Sequence, residues 1–201
     1  MTAGGRVRPE RGWSLVYEGF EPAREGLREA LCTLGNGFFA TRGAVPEARA
    51  DGVHYPGTYV AGLYNRLTTE LAGRGVENEE LVNVPNWLPL EFRAAGGPWF
   101  AVFEADLLGH RHELDLRAGL LLRELRWRDG RGRVTRCTQR RFVHMADPHL
   151  AGLETTFVAE NWSGTLEVRS GLDGRVVNAG VARYRDLANR HLDVLGAGPA
   201  G

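Results

Sequence analysis

A chain of 201 residues accommodates one large domain or two small ones and buries a core without needing a disulfide or a metal. Its 25 basic residues, every one an arginine, balance 25 acidic residues, so the electrostatic footprint of a nucleic-acid binder is missing. Two cysteines, Cys32 and Cys137, make no disulfide framework, and no stretch approaches the ~20 apolar residues that cross a bilayer.

Residues 1–12 are polar and rich in Gly and Arg, without the apolar run of a signal peptide. A flexible N-terminus and a cytoplasmic protein are therefore expected. Ala23–Leu31 carries Leu27, Ala30 and Leu31 at helical spacing behind Pro22, which predicts a short helix. Asn36-Gly37 then splits Leu31–Leu34 from Phe38–Arg42, and Asp129-Gly130 splits Leu121–Trp127 from Arg133–Val143. Asn-Gly and Asp-Gly tolerate the positive φ of tight primed turns, so each reads as a hairpin.

Leu153–Glu160 alternates Leu153, Thr155, Phe157 and Ala159 against Glu154, Thr156, Val158 and Glu160. Thr165–Leu172 places Leu166, Val168, Ser170 and Leu172 on one face. Period two is the mark of half-buried strands, and the turn cluster Asn161–Gly164 predicts that these two pair as an antiparallel hairpin. Asp173-Gly174 closes the second strand. Asn161-Trp162-Ser163 matches a glycosylation sequon but carries no weight without a secretion signal. A second helix is predicted over Ala182–Leu195, with Tyr184, Leu187, Ala188, His191, Leu192 and Leu195 on one stripe, and Gly196–Gly201 reads as a frayed tail. With 27 glycines among many short strands, the pattern is all-β, a sandwich or barrel with one or two short helices.

Four groups of residues bear on chemistry. His144, Asp147 and His149 offer metal-ligand types, but Pro148 breaks any helix that would align them, and a turn between strands is the better reading. His110 and His112 share a strand face and with Glu104, Asp106 or Glu113 would make an acid–base pair; a solvent-exposed position in a Gly-bounded, Arg-rich loop outweighs that. Arg131, Arg133, Arg136, Arg140 and Arg141 alternate between faces, so a solvated strand with cross-strand ion pairs is expected rather than a phosphate site. Finally, His54-Tyr55-Pro56-Gly57-Thr58-Tyr59 and Asn83-Val84-Pro85-Asn86-Trp87-Leu88-Pro89 suit a sugar pocket of aromatic walls and few polar groups, and equally a rigid loop docked on another domain. No Gly-x-Gly-x-x-Gly, P-loop, Gly-x-Ser-x-Gly or Cys-x-x-Cys motif occurs.

Several of these segments carry a resemblance. Leu34-Gly35-Asn36-Gly37-Phe38-Phe39-Ala40-Thr41-Arg42-Gly43, Pro56–Gly62, Leu81–Leu90, Arg141–Leu150 and Ser170–Asn178 follow one another as in the N-terminal part of the maltose, trehalose and kojibiose phosphorylases, glycoside hydrolase family sixty-five. The resemblance implies a large antiparallel β-sandwich (a supersandwich, galactose mutarotase-like) over 13–195, incomplete at its C-terminal end. In the family such a domain precedes an (α/α) barrel with the catalytic glutamate and the phosphate site. A phosphorylase needs one carboxylic acid because phosphate itself attacks; a hydrolase needs a second carboxylate to activate water. The barrel is absent here, so no catalytic residue and no metal are assigned.

The expected role is that of an accessory domain of an α-glucosyl disaccharide phosphorylase or hydrolase. Inorganic phosphate would be the co-substrate of the complete enzyme, which needs no other cofactor. The barrel and an α-glucosyl disaccharide would be its partners, with a homodimer open and no nucleic acid or membrane. His54, Tyr55, Tyr59, Asn83, Asn86 and Trp87 are expected on the surface facing the barrel or substrate entrance, in loops 54–66 and 81–90. The alternatives are a free-standing carbohydrate-binding module and a mutarotase-like sugar epimerase.

Overall fold

The computed structural model describes residues 12–179, 185–196 and 198, so the predicted flexible N-terminus lies almost wholly outside them. In chain order the elements are β1 (Ser14–Glu18), α1 (Pro22–Leu31), β2 (Leu34–Gly35), β3 (Phe39–Thr41), β4 (Thr58–Leu71), β5 (Arg74–Asn83), β6 (Leu90–Ala94), β7 (Asp106–Asp115), β8 (Leu120–Arg128), β9 (Val134–Val143), β10 (Ala151–Ala159) and β11 (Leu166–Ser170). A five-stranded sheet runs β1-β7-β8-β9-β10, a four-stranded sheet β2-β3-β4-β5, and β6 pairs with β11. All pairings are antiparallel.

The five-stranded sheet is the first layer, and its inner face carries two apolar clusters. Tyr17, Leu114, Leu121 and Val143 meet Cys32, Leu34 and Phe39 at one end. Leu125, Trp127, Cys137 and Phe157 meet Leu90 and Phe92 of β6 and Phe100 beyond it at the other. Between the clusters a polar row crosses the whole sheet through the register Tyr17–His112–Arg123–Gln139–Thr155. Buried polar groups require partners: Arg123 finds Glu47 of the 42–55 segment above the row and Gln139 within it, and the Arg28 guanidinium of α1 stands over the Tyr17 ring.

This arrangement inverts the predicted helix. The span is right, but α1 buries Glu25, Arg28 and Glu29, while Leu27 and Leu31 are 61% and 49% exposed. The helix faces a charged band, so its charged side is the one that packs.

The β8–β9 hairpin forms where Asp129-Gly130 predicts it, although the left-handed residue is Gly132 and not Gly130; the Asp129 carboxylate accepts the amides of Arg131 and Arg133 and shapes a longer turn. Asn36-Gly37 does join β2 to β3, with Gly37 at φ 87°. The predicted hairpin of Leu153–Glu160 with Thr165–Leu172 does not form. β10 pairs with β9, whereas β11 crosses to β6. The turn residues are spent on β9: Asn161 Oδ1 accepts the Val134 amide and Trp162 Nε1 donates to Thr135 Oγ1. The helix predicted over Ala182–Leu195 is also overturned for its described part, 185–195, which is a turn and irregular chain. Thr69 accepts the Ala188 amide, Asn78 donates to the Ala188 carbonyl, and His191 bonds Glu80. Hydrogen bonds to a formed sheet outweigh the weak intrinsic stability of so short a helix.

Candidate functional site

Of the stretches expected as loops, 54–66 is mostly strand, with 58–66 in β4, while 81–90 runs from the end of β5 at Asn83 through irregular chain to the start of β6 at Leu90. A register shift between Tyr59 and Tyr64, with Gly62 at φ 79°, bends β4 there. Such a bulge re-aims side chains locally, and it leaves Leu63 and Tyr64 exposed.

Of the six predicted site residues, Tyr55, Asn83 and Asn86 bond the 173–179 segment directly and Tyr59 joins them through Tyr55. Asn83 is buried; its Oδ1 accepts the Thr58 amide at 3.0 Å and its Nδ2 donates to the Val177 carbonyl at 3.1 Å. Asn178 answers by accepting the Asn83 amide and donating to the Leu81 carbonyl. Asn86 is buried and exchanges two backbone bonds with Asp173, each 2.9 Å. The Tyr55 and Tyr59 hydroxyls bond each other at 2.6 Å, and Tyr55 Oη accepts the Ala179 amide at 2.9 Å. Burial, and then the Tyr55 hydrogen bond, raises the Tyr59 phenol well above its usual range. Trp87 is half-buried, with its Nε1 enclosed and unpartnered. Gly57 makes the close approach possible, since a Cβ there would stand 2.9 Å from Arg42 Cδ and 2.9 Å from the Tyr59 ring.

His54 points the other way, into the band. It is fully buried, its Nδ1 lies 2.5 Å from Glu29 Oε1, and the Tyr55 amide donates to Glu29 Oε2. Burial pulls the imidazole pKa down, but the Glu29 hydrogen bond and the charges of Glu29, Asp51 and Glu25 outweigh it, so the net shift is upward. Arg28 bonds Glu25 at 2.8 Å and the Gly19 carbonyl at 2.9 Å. Burial still raises the Glu25 carboxyl despite that arginine. Arg123 makes a two-pronged pair with Glu47, at 2.5 and 2.8 Å, and donates to Gln139 at 3.2 Å. Arg141 caps the Ala44 and Arg42 carbonyls at 2.7 and 3.2 Å; burial, then Arg123, lowers it to about 10.

Two expectations change here. His110 and His112 are not exposed loop residues: both lie on β7 and both are buried. Neither nitrogen of His110 nor Nδ1 of His112 has a hydrogen-bond partner. Burial, then the Arg123 charge, lowers His110 to about 3, with only a weak opposing pull from Gly19, and the same two causes drive His112 well down. Arg141 likewise leaves the solvated face on which it was expected, because residues 135, 137, 139 and 141 of β9 all point inward. The 144–149 segment is a turn, as expected: His144 Nδ1 accepts the Ala146 and Asp147 amides. Among the described residues no group of three His, Cys, Asp or Glu side chains is placed to hold a metal.

The buried charges came from no motif. Their sequence signal was negative: a polar residue at an inward position of a strand otherwise apolar on that face, as Arg123 is between Leu121 and Leu125.

These features define an antiparallel β-sandwich whose charged residues brace its own core and whose aromatic-amide segments stitch its loops together. The sequence matches the model of the glycosyl hydrolase family 65 N-terminal domain over residues 15–200, and the chain belongs to that family. It is 52% identical, over 92% of its length, to an uncharacterized glycosyl hydrolase of Mycobacterium tuberculosis (strain ATCC 25618 / H37Rv), of which it covers 14%. It is 31% identical to the kojibiose phosphorylase of Halothermothrix orenii over 87% of this chain and 21% of that protein. With the trehalose 6-phosphate phosphorylase of Lactococcus lactis subsp. lactis it shares 32% over 92% of this chain and 24% of that protein. A solved structure described as a candidate kojibiose phosphorylase from the human microbiome superposes with a TM-score of 0.67 at 21% identity, over 78% of this chain and 21% of that one, and shows the same fold. The chain thus spans 14–24% of the length of these curated relatives. No helix among the described residues is long and apolar enough to cross a membrane.

Proposed function

We propose that this domain is a non-catalytic brace for the catalytic barrel of an α-glucosyl disaccharide phosphorylase or hydrolase, shaping one wall of its substrate entrance. The observation that carries this reading is the inward use of the domain's ionisable groups: Glu25, Glu29, Glu47, Arg28, Arg123 and Arg141 are all bonded to one another or to the backbone beneath α1 and the 42–55 segment. Groups spent in this way hold a shape, and the Nε atoms of Arg28, Arg123 and Arg141 that lack a partner are enclosed with them.

The docking face takes in the bend of β4 and the 81–90 segment. His54, Asn83 and Asn86 hold it from beneath, Tyr55, Tyr59 and Trp87 lie nearer its surface, and Leu63 and Tyr64 stand proud. The exposed Leu27 and Leu31 of α1 offer a second apolar contact of the kind interfaces cover. Inorganic phosphate and an α-glucosyl disaccharide would meet at the barrel, and the same apolar surfaces leave room for a homodimer contact. A cytoplasmic location fits two buried free cysteines.

Two measurements test the reading. The 201-residue chain, incubated with phosphate and kojibiose, trehalose or maltose, releases neither glucose 1-phosphate nor glucose; turnover would overturn the proposal. In the full-length enzyme that carries this domain, Trp87→Ala lowers turnover or disturbs assembly, and a variant unchanged in both removes the docking face. A sugar-epimerase reading would need His110 or His144 bonded to a carboxylate on an open concave face. His110 has no such partner and is covered, and His144 is engaged with its own turn.

A further inference from the structure

A cavity of about 390 Å³ opens between the 92–106 segment and the β8–β9 turn, at the opposite end of the sandwich from α1. It lies within the span of small-molecule pockets, about 300–1,000 Å³. One wall is aromatic. Phe100 stacks on Phe92 at 4.9 Å and meets Trp127 at 4.8 Å, and Trp99 is pinned by the guanidiniums of Arg93 and Arg169 at 4.5 and 4.6 Å. The other side is charged, with Glu104, Asp106, Arg128, Asp129 and Arg133.

The charges decide what kind of ligand fits. Arg93 is paired with Glu167 at 2.7 Å, Arg128 with Asp106 at 3.4 Å and Arg133 with Asp129 at 2.6 Å. The charge of each of these guanidiniums is thus matched by a carboxylate, the buried Arg133 Nη2 keeps a donor without a partner, and Glu104 adds a further negative group at the rim. A hydroxyl suits such a rim better than an ion, since it donates to a carboxylate and accepts from a guanidinium with the same oxygen. A ligand with several adjacent hydroxyls on one side and C–H groups on the other matches both walls at once. Gly97 keeps the floor low: a Cβ there would stand 3.0 Å from Arg133 Nη2.

We propose that this cavity is a binding site for a neutral pyranose unit, free or at the end of an oligosaccharide, held without being transformed. The site is separate from the docking face, so its failure would leave the brace reading untouched, and binding without turnover would agree with both.

The test is a titration of the isotope-labelled chain with methyl α-glucopyranoside and with maltose, followed by NMR. The indole resonances of Trp99 and Trp127 are expected to shift saturably in the millimolar range, while those of Trp13 and Trp87 stay still. In Glu104→Ala/Asp106→Ala, whose changes lie at exposed positions, affinity falls about tenfold, as losing a hydrogen bond to a charged group does, with the thermal melt retained. Glucose 6-phosphate binds more weakly than glucose. Maltose stronger than the monosaccharide glycoside points to a chain end as the ligand; equal affinity points to the free sugar. The proposal is overturned by no saturable shift, by unchanged affinity in the double variant, or by phosphate or glucose 6-phosphate producing the stronger response.

Discussion

Arg123 with Glu47, and Arg66 with Glu79, are the same pair of residue types in two surroundings. The first sits in the band beneath α1, its side chains 4% and 3% exposed; the second sits on the long β4–β5 hairpin, 61% and 53% exposed. Their bond lengths hardly differ, at 2.5 and 2.8 Å. What differs is what replaces the partner when it is lost. On the hairpin water takes its place, and in the band nothing does. The comparison separates a charge that the fold depends on from one that merely rides on it.

The strongest way to break this contrast is Arg123→Met. Glu47 is then left charged and enclosed, and a loss of about 3–5 kcal/mol in urea unfolding is expected. Adding Glu47→Leu restores most of that, because removing both charges also removes the desolvation penalty; a double variant no better than the single would show that the pair contributes through packing instead.

Acid should reach the band before it reaches the hairpin. His110 and His112 are held below the ordinary value of 6.5, His110 at about 3. The unfolded chain therefore binds protons that the folded one refuses. Stability is complete above pH 6.5 and declines as pH falls toward the folded values, by about 1.4 kcal/mol per pH unit for each histidine. His54 acts in the opposite sense, its raised pKa adding stability below 6.5 that fades as pH rises through the folded value. Thermal melts from pH 7 down to 5 measure the net slope, and His112→Gln should flatten it.

A smaller effect sharpens the boundary of the band. At Gly43, where the chain after β3 passes the end of α1, a Cβ would lie 2.6 Å from Cys32 Cβ. Gly43→Ala should cost about 1–3 kcal/mol, the usual range for overpacking, whereas Gly130→Ala meets nothing within 4 Å and carries no positive φ, so its melt should match the parent. The least effect is expected on the hairpin: Arg66→Ala should leave the urea midpoint where it is, as isolated surface ion pairs contribute little. A clear shift there would mean that the hairpin is covered in solution.

Much of the architecture was legible. Asp129-Gly130 located the turn between Leu121–Trp127 and Arg133–Val143, which form β8 and β9. The order of the motif blocks pointed to the family before any coordinate did. The candidate site was named in the sequence as a set of residues but not as an arrangement: no pattern said that Asn83 and Asn86 would turn inward to bind the 173–179 segment while His54 turned to Glu29.

What the sequence determined alone is the local grammar, namely which stretches extend, where they turn and which side of each strand is apolar, because those follow from backbone sterics and a side-chain period of two. Only the tertiary structure decided the partners. β11 left β10 for β6, α1 packed by its charged side, and the 185–196 segment stayed irregular against β4 and β5. Each choice depended on desolvated polar groups finding distant partners, and a linear pattern does not record which groups come to share one low-dielectric space.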